Sequence, residues 1–175
     1  MSKILIVAEV KNSEIKKNTL ELISFAKSKG LEMDAVLCGS GVSGQADVLA
    51  GQGASTVYLG DDSSLEIYNT EQYTSLVTDA LQQSGATQVW LSSSELGRDL
   101  TPRVAARQGV GALSDVTQFE VNGDEITAQR PCMSTKVIQK CKFSKDGLRV
   151  ISIRSGFFAP EETSPVPAKT VSLSI

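Results

Sequence analysis

The sequence predicts a three-layer α/β domain whose mostly parallel sheet is extended at its end by antiparallel strands. Short apolar runs alternate with amphipathic helical segments as far as Leu91, and this alternation is typical of β-α units with right-handed crossovers. After Gly111 the alternation stops, and hairpin signals and strands with a polar face follow. At 175 residues the chain is long enough for one domain with its own hydrophobic core.

The sequence of the first half predicts strands that mostly alternate with helices. The apolar run 3–9 is typical of a parallel strand buried on both faces. Apolar residues at helical spacing, with capping residues before them and a glycine after them, define each helix. The first predicted strand, at 3–9, is followed by a helix that is capped by Asn12 or Ser13, ends at Gly30 and has an apolar stripe of Ile15, Thr19, Leu22, Ile23 and Ala26. Strands at 33–38 and 55–59 come next. A helix capped by Asn69 then ends at Gly85, with an apolar face of Tyr73, Leu76, Val77, Ala80 and Leu81, and a strand at 87–91 follows it.

The second half predicts hairpins and a tail. Val-Asn-Gly-Asp at 121–124 signals a type I′ turn. Within residues 135–143, lysines alternate with other residues, as in a strand with one solvent-exposed face. A turn at 145–147 precedes a final strand at 148–153. We therefore expect an α/β domain over residues 1–159. Residues 160–175, with three prolines, are expected to be a linker or an arm lying on a neighbouring molecule.

Composition and charge narrow the class of protein. Apolar residues make up 41%, no apolar run approaches the length of a membrane span, and the first residues lack a signal or transit peptide. Three cysteines without metal-ligand spacing fit a reducing compartment, so we expect a bacterial, cytoplasmic protein. The net charge of −3 and the lack of interleaved basic and aromatic residues argue against nucleic-acid binding.

The charge is unevenly distributed along the chain. Between Gly30 and Gly97 there are nine acidic residues and no Lys or Arg, whereas from Arg98 to Arg154 there are ten basic residues and six acidic ones. An acidic side and a basic side favour oriented docking to a partner or an anionic ligand. Two differently solvated faces would produce the same pattern.

No catalytic or metal-binding set is visible in the sequence. Histidine is absent, so the commonest general base and metal ligand is missing. The serines at 92–94 lack a G-x-S-x-G frame, the cysteines have no histidine to activate them, and Trp90 is expected in the core. We therefore expect a protein that is not an enzyme by itself.

Two loops are candidate ligand sites. Gly39, Gly41 and Gly44 formally fit G-x-G-x-x-G, with Asp61 and Asp62 at the end of the next strand. Because the motif follows the second strand and precedes a short helix, a tight turn is favoured over a phosphate cradle. The stronger candidate is the loop 92–103, which follows the fourth strand and carries Ser92, Ser93, Ser94, Gly97, Arg98 and Arg103.

The helix after this second loop also has end signals. Thr101 is the predicted N-cap with Pro102 at the first helical position, and Gly109 is the predicted left-handed stop. For Arg103 a buried structural ion pair, with Asp99 or Asp115, is favoured over ligand binding. For Arg98, an ordinary surface position is an equal alternative to ligand binding.

The same stretch carries a resemblance to a known family. Gly97, Leu100, Pro102-Arg103, Ala105-Ala106 and Ser114-Asp115 follow the G-x-x-L-x-P-R-x-A-A…S-D pattern of the electron-transfer flavoprotein alpha subunit. The opening strand KILIVAE and the late segment VISIRSGFF support the match, which extends over 3–159. The S-G-G-R-G-type FAD-binding loop of that family does not occur in these 175 residues. The chain thus resembles the amino-terminal domain alone.

The resemblance implies a fold, a cofactor and partners. It implies a Rossmann-like fold, a beta-subunit partner, and FAD held by a domain outside this segment, with electrons arriving from acyl-CoA-type or other dehydrogenases. AMP would be bound by the beta subunit, and this segment would act as a scaffold for heterodimerisation. Two alternatives remain at this stage: a stand-alone adenine-nucleotide-binding module, and a small homodimer that exchanges its proline-containing tail.

Overall fold

The computed structural model describes residues 3–122, 125–143, 147–156, 159–161 and 163–175. Two kinds of regular element alternate through these ranges. The strands are β1 (Lys3–Ala8), β2 (Val10–Lys11), β3 (Glu14–Ile15), β4 (Glu32–Gly39), β5 (Val57–Asp61), β6 (Gln88–Ser92), β7 (Ala112–Val116), β8 (Gln118–Asn122), β9 (Glu125–Cys132), β10 (Val137–Lys142), β11 (Arg149–Ile153) and β12 (Thr170–Ser172). The α-helices are α1 (Lys17–Ser28), α2 (Ala46–Gln52), α3 (Thr70–Ser84) and α4 (Glu95–Arg107).

The main sheet has seven strands in the order β12-β5-β4-β1-β6-β11-β7, and every neighbouring pair is parallel. The predicted α/β class is confirmed. The antiparallel strands do not extend this sheet, however; β8, β9 and β10 form a separate sheet, and β2 and β3 form a small hairpin. The last predicted strand, β11, instead joins the parallel sheet between β6 and β7, because its apolar residues are buried on both faces.

Alternate residues of the strands supply two hydrophobic cores, one on each face of the sheet. Ile4 and Ile6 of β1 pack with α1 and α2, and Ile126 of β9 completes that layer. Leu5 and Val7 point the other way and pack with α3 and α4. Three layers result, as predicted, with the antiparallel sheet contributing to only one of the outer layers.

Helix ends agree with the prediction in part. The glycines expected to end α1, α3 and α4 all have positive φ, at 65° for Gly30, 63° for Gly85 and 66° for Gly109. The predicted cap of α3 is confirmed, because Asn69 Oδ1 accepts hydrogen bonds from the N–H groups of Glu71 and Gln72, at 3.0 and 3.1 Å. The predicted cap of α1 is wrong: Asn12 forms the turn between β2 and β3, and α1 starts later, after Lys16.

The tail that was expected to be a linker or arm packs on the chain itself. β12 adds to the outer edge of β5, parallel to it, and Leu173 is buried beneath. On its way there the tail crosses α2, where the N–H groups of Val166 and Ala168 donate to Asp47 at 3.1 and 2.9 Å. We call residues 163–169 the strap. β8 and β9 pair antiparallel as predicted, whereas the turn residues 123–124 and 144–146 lie outside the described ranges.

Candidate functional site

The central feature of the sheet is the point where the strand order reverses. β1 has β4 on one side and β6 on the other, so the following crossovers leave in opposite directions. In open α/β sheets, ligands bind beyond the carboxyl ends of the strands at such a point. A cleft of about 460 Å³ lies there, bounded by Glu9, the β2–β3 hairpin, Gly39, Tyr73 and Leu96. Its volume lies in the range of small-molecule sites.

The glycine-rich loop beside this cleft is closed by a carboxylate of the protein itself. The N–H groups of Gly41 and Ser43 donate to the two oxygens of Asp61, at 2.6 and 2.9 Å. Partial burial would raise the pKa of Asp61, but the N–H groups of Ser43, Val42 and Gly41 outweigh it and hold that pKa below its ordinary value. The donors that a phosphate would use are thus directed at Asp61.

A second internal carboxylate lies at the start of α4. Ser94 is the N-cap of that helix: its Oγ accepts the Gly97 N–H at 3.1 Å and donates its own proton to Glu9 Oε1 at 2.6 Å. Glu9 is 3% exposed, and its other oxygen accepts Lys16 Nζ at 2.8 Å. The negative charge that a helix N-terminus favours is therefore already present next to the cap.

The predicted start of α4 is wrong. Thr101 is not the N-cap, and Pro102 lies inside the helix, because Ser94 caps it nearly two turns earlier. Both Ser94 and Thr101 are residues that favour N-caps, and sequence alone does not rank them. The buried position of Thr101, which is 1% exposed, follows from its place on the inner face of the longer helix.

The other candidate residues of the 92–103 loop hold the fold together. Ser92 Oγ accepts from Asn18 Nδ2 at 2.9 Å, and Ser93 Oγ donates to Ser152 Oγ at 3.1 Å. A Cβ on Gly97 would lie 1.7 Å from the Ser92 carbonyl oxygen, so only glycine fits between β6 and α4. These contacts join the ends of β6, β11 and α1 rather than leaving hydroxyl groups free for a ligand.

Arg103 pairs with Asp99, one of the two predicted partners, but at the surface. The Nε–Oδ1 distance is 3.3 Å, and the two side chains are 56% and 39% exposed, so the pair is not the buried one that was expected. Asp99 also accepts the hydroxyl groups of Thr70 and Tyr68 at 2.7 and 2.8 Å. These two hydroxyls, with a smaller effect of Arg103, hold the pKa of Asp99 below its ordinary value. Asp99 therefore fastens α4 to the start of α3.

Asp115, the other predicted partner, binds a residue that the sequence analysis did not select. Arg154 Nε donates to Asp115 Oδ1 at 2.9 Å, and a second guanidinium nitrogen reaches Oδ2. The hydrogen bond from Arg154 lowers the pKa of Asp115, and the charges of Arg98 and Arg130 lower it further. The charges of three arginines thus act on one aspartate, an arrangement that depends on a helix and strands far apart in sequence.

Glu9 was also missed, although its position carried a signal. It is the first charged residue after a buried apolar strand, and such a residue lies at the carboxyl edge of a parallel sheet. Its partner Lys16 could not be inferred, because the β2–β3 hairpin that brings it back to Glu9 has no strong turn signature.

The described residues contain neither a metal-ligating cluster nor a helix that could span a membrane. Within those ranges, no group of three or more metal-ligating side chains comes together. The helices among them are all too short or too polar to cross a membrane.

A parallel α/β sheet with a cleft at its reversal point defines the Rossmann-like class of domain. Within that class, the chain belongs to the electron transfer flavoprotein domain family, whose model matches residues 4–174. The resemblance to this family drawn from the 97–115 motif is confirmed.

Named relatives agree with this membership. A protein named FixB from Clostridium saccharobutylicum is 30% identical over 97% of this chain and 52% of the relative. The mitochondrial electron transfer flavoprotein alpha subunit of Dictyostelium discoideum is 31% identical over 98% of this chain and 49% of the relative. The alpha subunit of Bacillus subtilis is 28% identical over 87% and 47%. The chain spans about half the length of the curated relatives it matches.

Proposed function

We propose that this domain is the scaffold and heterodimerisation part of an electron transfer flavoprotein. In the complete protein, FAD held outside these 175 residues would carry electrons from dehydrogenases, acyl-CoA-type enzymes among them. The domain would pair with a beta subunit, and any AMP would be bound by that partner. Family membership and the alpha-subunit relatives support this proposal, which also places the protein in the bacterial cytoplasm.

The observation that carries the proposal is the pair of internal carboxylates at the carboxyl edge of the sheet. Asp61 engages the loop of Gly41 and Ser43, and Glu9 lies at the N-cap of α4. A phosphate at either place would have to displace a bonded carboxylate or lie beside a like charge, and both are unfavourable. The edge that binds nucleotides in related architectures is thus better suited here to stabilising the domain.

The surface that we propose for a partner lies on the side of β1 that holds β6, β11 and β7. β7 is the last strand of the main sheet on that side, and the exposed Arg98 lies close enough to Asp115, near the carboxyl end of β7, to lower its pKa. We propose that the region 98–116, together with the late strands, is buried against the beta subunit.

Sedimentation velocity of the chain mixed with its cognate beta subunit tests the proposal. We expect a single faster-sedimenting species at equimolar ratio, unchanged by added FAD, because the flavin would be held elsewhere. Two separate boundaries at micromolar concentrations of both proteins would contradict the scaffold function.

A second candidate function is favoured by the cleft itself. Its volume of about 460 Å³ and its place beside Gly39 would suit a stand-alone module that binds an adenine nucleotide. Thermal melting with ATP, AMP or NAD distinguishes the two functions. A nucleotide at one hundred times its dissociation constant should stabilise a nucleotide-binding module by about 2.7 kcal/mol, whereas the scaffold function predicts unchanged melting.

A further inference from the structure

The sheet formed by β8, β9 and β10 is exposed at one end. Met133, Val137 and Ile138 are 75%, 45% and 58% exposed, three large apolar side chains within six residues. We call residues 131–138 the hairpin end. Val137 and Ile138 are consecutive in β10 and lie on opposite faces of its sheet, so the hairpin end exposes apolar side chains on both faces. Exposed large apolar residues that occur together, rather than singly, call for an explanation.

The same two strands are well packed at their other end. Ile126 and Ala128 of β9 are 2% and 1% exposed and belong to the core beneath the main sheet. Further along the ladder, Ile138 lies opposite Pro131 and Val137 opposite Cys132. Val137 and Ile138 are exposed, so the ladder extends beyond the part of this sheet that packs on the core formed by the described residues.

The hairpin that carries this end is also basic. Residues 126–143 contain four basic residues and no acidic one. Lys136 and Lys140 are exposed, and Arg130 Nη1 donates to Ser114 Oγ at 3.1 Å, which places it beside the arginines around Asp115. An apolar centre is therefore flanked by positive charge on both sides.

We propose that the hairpin end is the docking element for the partner subunit, and that it binds an apolar surface bordered by carboxylates. This inference rests on the function proposed above and specifies the part of the chain that makes the contact. The physical argument is complementarity. Interfaces combine an apolar centre rich in Met and Arg with a charged rim, and opposite rim charges accelerate association.

A purely protective role for the lysines explains less of the structure. Lysines on an edge strand oppose edge-to-edge aggregation, and β10 is such a strand. Protection does not call for Met133 and Ile138 to be exposed on the same hairpin, because exposed apolar residues increase the tendency to associate. A docking element requires both features together.

The first test replaces apolar side chains and measures the dissociation constant for the cognate beta subunit by titration calorimetry. M133S/I138S should weaken binding about tenfold or more, because apolar anchors at the centre of an interface carry most of its binding energy. The matched control is I67S, since Ile67 is 82% exposed but lies far along the chain from the hairpin. It should leave the dissociation constant unchanged.

The second test reverses charge and measures the association rate at two salt concentrations. K140E should slow association and reduce its dependence on salt, whereas K17E, at an exposed lysine on α1, should change neither. Melting curves of all four variants should match the wild type, because each replaced side chain is exposed.

The outcomes separate the two proposals. If M133S/I138S binds the beta subunit with the affinity of the wild type, the hairpin assignment is overturned and the scaffold function still stands. Failure of the wild-type chain to bind the beta subunit would overturn both. Self-association of the chain alone that M133S/I138S abolishes would make the occupant a second copy, and this would also overturn the inference.

Discussion

The carboxyl edge of the parallel sheet and the hairpin end of the antiparallel sheet use polar and apolar side chains in opposite ways. At the carboxyl edge, Glu9, Asp61 and Ser94 satisfy backbone and side-chain groups of the same chain. At the hairpin end, the large apolar side chains of Met133 and Ile138 are 75% and 58% exposed. The polar groups at the carboxyl edge are therefore largely engaged by the chain's own carboxylates, whereas the apolar side chains of the hairpin end remain exposed.

The topology of a sheet and the availability of its polar groups to a ligand are separate properties. Parallel strands bring their ends together whatever residues they carry, so the carboxyl edge always gathers N–H groups and loops. Whether a ligand can use those groups depends on whether the chain supplies its own anion first. Substitutions at the carboxyl edge should consequently cost stability, and substitutions at the hairpin end should cost association alone.

The largest loss of stability is expected at Gly97. G97A would place a Cβ 1.7 Å from the Ser92 carbonyl oxygen, and backbone must move to accommodate it. We expect a loss on the order of 3 kcal/mol in urea unfolding. The control is G44A, where nothing lies within 4 Å of the added Cβ, and it should be neutral. Equal stability of the two variants would show that α4 does not lie so close to β6.

The strap gives the next largest effect. G51A would place a Cβ 2.2 Å from the Ser164 carbonyl oxygen, so the strap should lift from α2. We expect a loss of about 2 kcal/mol, with faster hydrogen exchange at the Leu173 N–H, which donates to Leu59 at 2.8 Å. G111A, with open space around its Cβ, is the control. Unchanged exchange at Leu173 in G51A would argue against the strap.

Removing the charge of Glu9 should cost less. E9Q keeps the size of the side chain but leaves Lys16, 34% exposed, without its anion. Because water still reaches Lys16, we expect a loss of about 1–2 kcal/mol rather than the larger cost of a fully buried pair. The exposed Glu14 provides the control, and E14Q should melt like the wild type. A stabilised E9Q would show that the carboxylate is under strain at the N-cap of α4.

The ion pair of Asp115 predicts a dependence on pH. The bond from Arg154 lowers the pKa of Asp115 in the folded state below the ordinary value of 3.8, so its contribution is complete above that value and is lost as the pH falls through the lower, folded pKa. D115N suits the site because asparagine tolerates its φ of +61°. We expect D115N to be about 1 kcal/mol less stable at pH 7, with the difference shrinking below pH 3.8. A difference that grows on acidification would contradict this sign.

The smallest effect on stability is expected at the hairpin end. I138S replaces a side chain that is 58% exposed, so the free energy of unfolding should change by less than about 0.5 kcal/mol. The corresponding substitution at a buried position of the same sheet, I126S, should be strongly destabilising because Ile126 is 2% exposed. Similar losses in the two variants would remove the contrast between the packed and exposed ends of this sheet.

Local sequence patterns were enough to predict the α/β class, most strands, the buried faces of α1 and α3, and the family. These features depend on residues near one another in the chain: apolar periodicity, the cap at Asn69, the stop at Gly109 and the motif around Gly97. It also identified both candidate loops, although not what would occupy them.

The tertiary structure alone decided the order of the strands and the state of the candidate site. Pairing of Arg154 with Asp115, closure of the glycine loop by Asp61 and the return of the tail to β5 all join segments that no local pattern connects. The ambiguity at the start of α4 has the same origin, since Ser94 gains a second partner in Glu9, 85 positions earlier in the chain. Local propensity selects elements, and contacts between distant elements select which of their polar groups remain available.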